Sequence, residues 1–261
     1  MDGLTRVLAP EQIIQLMLVV ARVGGMFATA PVLSHQGTPL RVRAGIVVAI
    51  AIAFTALVPP GTAAGITTAW GLAGAMVVEA ATGVLLGLIP QFIVSGVMLG
   101  GEVAGLHMGL GMSRLLDPMT RTNVTPIALW FQFLGILMFL ALDVHHLLIR
   151  ALARSFTVAP PGQLTLGAAE IGGMLSMVGG VFEIGLRIAA PVLAGLLIIE
   201  TGMGLLARAI PELNVFLLGF AIKIGVGFML LSASLPFVGQ FLELRYRGLE
   251  SVLANLVHAL G

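Results

Sequence analysis

The sequence predicts an all-α, integral membrane-class protein folded as one domain over residues 1–261, and three observations carry that prediction. Of 261 residues 58% are hydrophobic and only 10% charged, and mean hydropathy is +1.08. A soluble chain runs nearer to about 45–50% apolar and about 25% charged, so 13 basic and 12 acidic residues cannot cover a water-facing surface. The apolar residues fall in long runs, about 13–33, 44–58, 69–98, 124–149, 169–206 and 215–240, near or above the ~20 residues that cross a bilayer as a helix. Period-2 alternation is absent, which excludes a β-barrel. The 34 glycines point to helices packed backbone to backbone.

The first run resembles a signal peptide, with Ala28-Thr29-Ala30 as a small-x-small site. Its leading residues Asp2, Arg6 and Glu11 are not net positive, however, and Arg22 interrupts the apolar core. A secretory signal has a basic start and an uncharged core, so residues 11–33 are read as a retained helix. Glu11, Gln15 and Arg22 lie within about 40° of one another at 100° per residue. That stripe either meets another subunit or a wet lumen, or is an intrachain ion pair or a set of side chains snorkelling near the interface. Polar or Pro-containing breaks follow at Ser34–Arg43, Pro59–Thr68, Ser113–Pro126, Arg150–Leu166 and Ala207–Asn214. The 44–58 run is short; 69–98 and 169–206 are long, with Pro90 and Pro191 expected to kink or break them.

Arg22, Glu79, Glu102, Glu170, Glu183, Arg187, Glu200 and Lys223 sit within or at the edges of apolar runs. A charge near the bilayer centre costs roughly 2.5–3.5 kcal/mol, so such groups face protein or water. Arginines recur in successive loops, as Arg41 and Arg43, Arg114 and Arg121, and Arg150 and Arg154. The positive-inside rule therefore gives no orientation, as expected if several apolar hairpins are buried in an assembly instead of lipid. Glu183 and Arg187, spaced i, i+4, read as a self-neutralising pair.

Gly101, Gly105 and Gly109 form a doubled GxxxG stripe suited to close helix packing. Gly109 and Gly111 then loosen the helix and Pro118 breaks it. Met108, Leu110, Met112, Leu115 and Leu116 thus fall on a deformable loop, tolerated at membrane depth only inside protein or lining a cavity. Residues alone leave that loop open between a gate and an ordinary packing loop. Asp143, His146, Arg150 and Arg154 share a face with His145 beside them. Asp with His suggests proton relay or metal ligation, but no second ligand cluster exists, and a helix end emerging into water is the plainer reading. Arg208 closes one helix, where a cation suits the dipole, and Pro211 and Asn214 mark the following turn. Residues 243–261 mix charges with Leu249, Val252, Leu253, Leu256 and Val257, the pattern of an amphipathic interfacial helix.

Cysteine is absent, which excludes disulfides and thiolate metal sites. Without a basic stripe there is no nucleic-acid footprint. Walker, dinucleotide and nucleophile-elbow motifs are missing, so no enzymatic activity, cofactor or metal is assigned.

Several segments, in order, resemble one family: Ala21-Arg22-Val23-Gly24-Gly25, Ala30-Pro31-Val32-Leu33, Pro39-Leu40-Arg41-Val42-Arg43, Gly101-Glu102 through Leu116-Asp117-Pro118, Leu142-Asp143-Val144-His145-His146, and Leu205 through Phe216 around Arg208, Pro211 and Asn214. The chain resembles the FliR/SctT family of type III secretion export apparatus. That resemblance implies a subunit of helical hairpins, like a FliP-type unit fused to a FliQ-type one, although residue identities show no clear internal repeat. It implies a helical assembly with FliP-like and FliQ-like subunits in the bacterial inner membrane, at the flagellar basal body. FlhB-like and FlhA-like proteins would be further partners, lipid would contact the outside, and unfolded rod, hook and filament proteins would pass through. The family's channel-closing loop maps to about His107–Asn123, placing Met108, Gly109, Leu110, Gly111, Met112, Leu115, Leu116, Asp117 and Pro118 at a gate. Arg22, Arg41, Arg43, Glu102, Asp143, His146, Arg208, Asn214 and Lys223 are the expected buried polar or intersubunit residues. Two alternatives stand beside this reading: an injectisome homologue, and a self-sufficient proton-coupled small-solute transporter using Glu79, Glu102 or Asp143.

Overall fold

A computed structural model describes residues 10–32, 39–56, 58–59, 62, 65–112, 124–163, 168–212 and 214–259, with residues 10, 168–171, 173–176 and 216 in backbone only. The expected gate residues Leu115, Leu116, Asp117 and Pro118 lie outside the described residues, as do Arg114 and Arg121. The described residues form helices and connecting turns without a strand. In chain order the helices are α1 (Pro10–Thr29), α2 (Leu40–Thr55), α3 (Ala69–His107), α4 (Pro126–Ala141), α5 (Val144–Val158), α6 (Ala168–Ala209), α7 (Val215–Arg247) and α8 (Leu249–Ala259), with a 3₁₀ turn at Leu110–Met112 after α3.

Hydropathy dictates these elements. Glu11–Thr29, Ala69–His107, Met177–Ala209 and Leu217–Ala259 are each long and apolar enough to cross a membrane; α4 and α5, bent by 62° at their junction, would make a fifth span if taken as one. At about 1.5 Å per residue, the 39 residues of α3 and the 42 of α6 exceed what a ~30 Å hydrocarbon layer requires.

The structure bears on three local expectations. Pro90 and Pro191 lie inside continuous helices; each removes one amide donor, a loss that packed helices absorb in apolar surroundings. The 124–149 run is not one helix: it turns at Leu142–Asp143, where Asp143 adopts a left-handed conformation (φ 54°). Asp tolerates that backbone better than most residues, and Asp143, His145 and His146 interrupt the apolar run at the bend. The C-terminal apolar stripe is covered by the chain's own α5: Leu249, Leu253 and Val257 are buried at i, i+4, i+8, and α8 packs on α5.

The chain forms two compact units. The first comprises Met1–Gln91, Phe139–Met177 and Tyr246–Gly261, the second Phe92–Met138 and Val178–Arg245. Helices α3, α4, α6 and α7 contribute residues to both. In the first unit α1 and α3 meet backbone to backbone. A Cβ on Gly83 would strike the Arg22 carbonyl, and one on Gly25 the Ala80 carbonyl. Thr29 Oγ1 donates across the same contact to the Val84 carbonyl at 3.2 Å. In the second unit α3 is held on two sides. Gly96 and Gly100 admit Ile184 and Ile188 of α6, while Gly101 and Gly105 admit Ala128, Phe131 and Thr125 around the start of α4. Of the stripe read from the sequence, Gly101 and Gly105 face the start of α4 within this chain, whereas Gly109 lies beyond the end of α3 and faces Phe220 of α7.

Candidate functional site

The expected gate segment leaves α3 through a tightly fixed root in the second unit. Met108 is fully buried, and its amide still bonds the Ala104 carbonyl at 3.0 Å. A notch on α7 accommodates its side chain: a Cβ on Gly227 would stand 2.6 Å from Met108 Cγ. The next residue, Gly109, turns to φ +86°, and a Cβ there would meet the Phe220 ring at 2.9 Å. Positive φ and lack of space together require glycine. The Met112 amide then bonds the Gly109 carbonyl at 3.1 Å, closing the 3₁₀ turn. Leu110 and Gly111 are half-buried, and Met112 is exposed.

Across the 113–123 segment the chain is fixed again. The Thr125 amide donates to Glu102 Oε2 at 2.7 Å, a charge-assisted bond of the stronger kind. Thr125 Oγ1 in turn accepts from the Ala128 amide at 3.2 Å, capping α4. Glu102 lies on the same last turns of α3 that carry Gly101 and Gly105, so sequence-adjacent positions on one helix end hold both roots of the segment.

Beside the first root lies a cavity of about 450 Å³ lined by Gly109, Gly111, Met112, Phe220 and the facing pair Glu200 and Lys223. Lys223 Nζ donates to Glu200 Oε1 at 2.6 Å. The pair links α6 and α7, placing opposite charges where apolar helices leave partial solvent access.

Arg22 occupies the centre of the first unit with no exposed surface. Its Nε donates to Glu79 Oε2 at 2.6 Å, one terminal nitrogen to Ser155 Oγ at 3.0 Å and the other to the Ala159 carbonyl at 3.0 Å. The guanidinium also lies over the Phe156 ring, 4.4 Å from its centroid. Glu79 Oε1 accepts from the Gly162 amide at 2.9 Å, where Gly162 has φ +85°. Both Glu79 oxygens and three guanidinium nitrogens are thereby satisfied, the condition under which a buried ion pair is tolerated. Gln15, on the same stripe of α1, is buried and donates to the Val58 carbonyl at 3.3 Å, while Glu11 is exposed.

Within this chain the other expected polar residues are more open. Arg41, Asp143, His146, Arg208 and Asn214 are exposed, and Arg43 is half-buried. Asn214 Oδ1 accepts from the Leu217 amide at 3.2 Å, capping α7. Asp143, His145 and His146 bring one carboxylate and two imidazoles within 4.8 Å of one another at the start of α5. Glu183 bonds both Arg187 at 3.0 Å and Arg245 at 2.6 Å, so the i, i+4 pair is part of a three-residue cluster. Sequence reasoning did not find Ser155, Phe156, Ala159 and Gly162 as partners of the Arg22–Glu79 pair, nor Phe220 and Gly227 as the seat of the loop root. The one available signal was that a buried Arg and Glu must find partners; spacing does not say which.

Comparison with known proteins gives a consistent result along the chain. The family described as bacterial export proteins, family 1, matches residues 13–248. Flagellar biosynthetic protein FliR of Pectobacterium carotovorum subsp. carotovorum is 32% identical over 90% of this chain and 90% of its own length. FliR of Escherichia coli K12 is 30% identical over 92% of this chain and 91% of its own, and FliR of Caulobacter vibrioides is 27% identical over 90% and 94%. With a family match covering most of its length and relatives at this identity end to end, the chain belongs to family 1 of the bacterial export proteins, the FliR family.

Proposed function

We propose that this chain is a membrane-embedded core subunit of the flagellar type III protein export gate. In this reading it assembles with FliP-like and FliQ-like subunits in the inner membrane at the basal body, with FlhB-like and FlhA-like proteins as neighbours. The assembly forms a gated channel for unfolded rod, hook and filament proteins. The observation that carries the proposal is the family match over residues 13–248 with relatives that are named as flagellar biosynthetic proteins and covered almost end to end. Those names favour the flagellar system over an injectisome.

The local geometry supports a gating role for the segment between α3 and α4. Both of its roots are fixed on the end of α3, by Met108 in the Gly227 notch and by Glu102 on the Thr125 amide. A segment anchored at both roots could open without unseating its scaffold. Leu110 and Met112, with Leu115 and Leu116, would form the apolar seal. Gly111 would give the bend: among the described residues a Cβ there meets the end of the Leu106 side chain, at 2.8 Å. The solute-transporter alternative is disfavoured at Glu79, whose two oxygens are already occupied by Arg22 and the Gly162 amide.

The test is complementation of a strain lacking its own FliR, with flagellin and hook protein measured in the medium. Restored secretion and motility are expected. A strain that makes this chain in its membranes yet exports nothing, while its own FliR restores export, would count against the reading.

A further inference from the structure

We propose that Asp143, His145 and His146 form a binding site for one divalent transition-metal ion of the zinc class at the bend between α4 and α5. Asp143 Oδ1 lies 3.1 Å from His146 Nδ1 and 4.0 Å from His145 Nε2, and the three ligand atoms lie within 4.8 Å of one another. A tetrahedral ion at about 2.0–2.1 Å from each donor needs donor separations of roughly 3.3 Å. The first two separations bracket that value, and rotation of the imidazoles would close the remaining distance, which is within 4.8 Å. Two nitrogens and one carboxylate oxygen suit zinc, copper or nickel better than magnesium or calcium, which prefer all-oxygen shells.

Two further observations favour a ligand over a helix end that simply meets water. Asp143 occupies the N-cap position of α5, where a carboxylate ordinarily accepts a backbone amide, yet it makes no side-chain cap bond. Its oxygen faces the imidazoles instead. Among the described residues His145 Nδ1 is buried without a hydrogen bond, and Nε2 faces Asp143 Oδ1 at 4.0 Å, beyond hydrogen-bond reach. An ion between Nε2 and the carboxylate would give that nitrogen a partner and fix the proton on Nδ1. Asp143 and His146 also line a cavity of about 520 Å³ together with Glu250, Arg150 and Arg247, which leaves room for solvent as a fourth ligand. The two arginines and the positive end of α5 oppose a cation, but that effect is weak and screened beside three coordinate bonds.

The test uses the full chain in detergent, purified through a histidine-free peptide tag. Co²⁺ is titrated while visible absorption is followed, and Zn²⁺ is then added as competitor. One saturable equivalent of Co²⁺, displaced by Zn²⁺, is expected. Asp143→Asn, which keeps the shape of the bend, should weaken binding at least about tenfold, and His145→Gln with His146→Gln should abolish it. His107→Gln and His258→Gln should leave it unchanged. Absence of saturable one-equivalent binding would overturn the proposal. So would binding that is unaltered in Asp143→Asn, or equally lost in the two control variants.

Discussion

Arg22 and Glu79, 57 positions apart, meet at 2.6 Å with neither side chain reaching solvent. Removing one partner of such a pair strands the other charge, at a cost of about 3–5 kcal/mol, whereas replacing both with apolar residues of similar volume is often neutral. Arg22→Met and Glu79→Leu are each expected to lower accumulation of the chain in membranes sharply, and the double variant to recover much of it. Quantitative immunoblotting of membrane fractions checks this. A Glu79 acting in proton coupling would instead give normal accumulation with lost function in Glu79→Gln.

Two glycines of α3 should behave oppositely. Gly83 faces the Arg22 backbone with no room for a Cβ, while Gly74 has nothing within 4 Å. Gly83→Ala forces two backbones apart and is expected to destabilise by at least about 1–3 kcal/mol. Gly74→Ala removes a helix-interior glycine and should be neutral or stabilising by up to about 1 kcal/mol. Thermal unfolding of the detergent-solubilised chain separates them; similar midpoints for both variants would contradict the close approach of α1 and α3.

At the loop root, Gly109 combines φ +86° with contact to Phe220. Any side chain there costs about 1–2 kcal/mol from backbone alone, plus displacement of the ring. Gly109→Ala should therefore impair export more than Gly111→Ala. Gly111→Val should reduce export without abolishing assembly. Secreted flagellin, normalised to the amount of chain in membranes, is the readout; normal secretion in Gly111→Val would remove the hinge role.

The second root rests on one carboxylate. Glu102→Ala leaves the Thr125 amide without its acceptor, a loss of about 1–3 kcal/mol. Glu102→Gln keeps an acceptor at the same reach. Export should fall in the first variant and largely recover in the second. Equal defects in both would mean that the negative charge matters, not the anchoring of Thr125.

The sequence disclosed what depends on local composition. Helix runs, the Gly101–Gly105 packing face and the turn at Asn214 follow from hydropathy, glycine spacing and capping chemistry, whereas Arg150–Val158, expected in a polar break, is helical. What escaped it depends on distant residues. Nothing near Arg22 names Ser155 or Ala159, 133 and 137 positions away, and nothing near Met108 names Gly227. Pro90 and Pro191 read as kinks or breaks, and local propensity cannot decide between them because it weighs a lost amide bond without the packing that lets both helices continue. Asp143 and the two histidines read as a helix end, but their polarity does not say that a second helix restarts at once after a left-handed residue. The tail reads as interfacial because its stripe fits lipid and α5 equally well.

Native mass spectrometry of the tagged chain, extracted gently from cells that make the whole export apparatus, tests the central claim most directly. The export-gate reading predicts a stable complex containing FliP-like and FliQ-like subunits together with this chain. A lone chain or a pure homo-oligomer, with those partners present in the same membranes but absent from the complex, would contradict it.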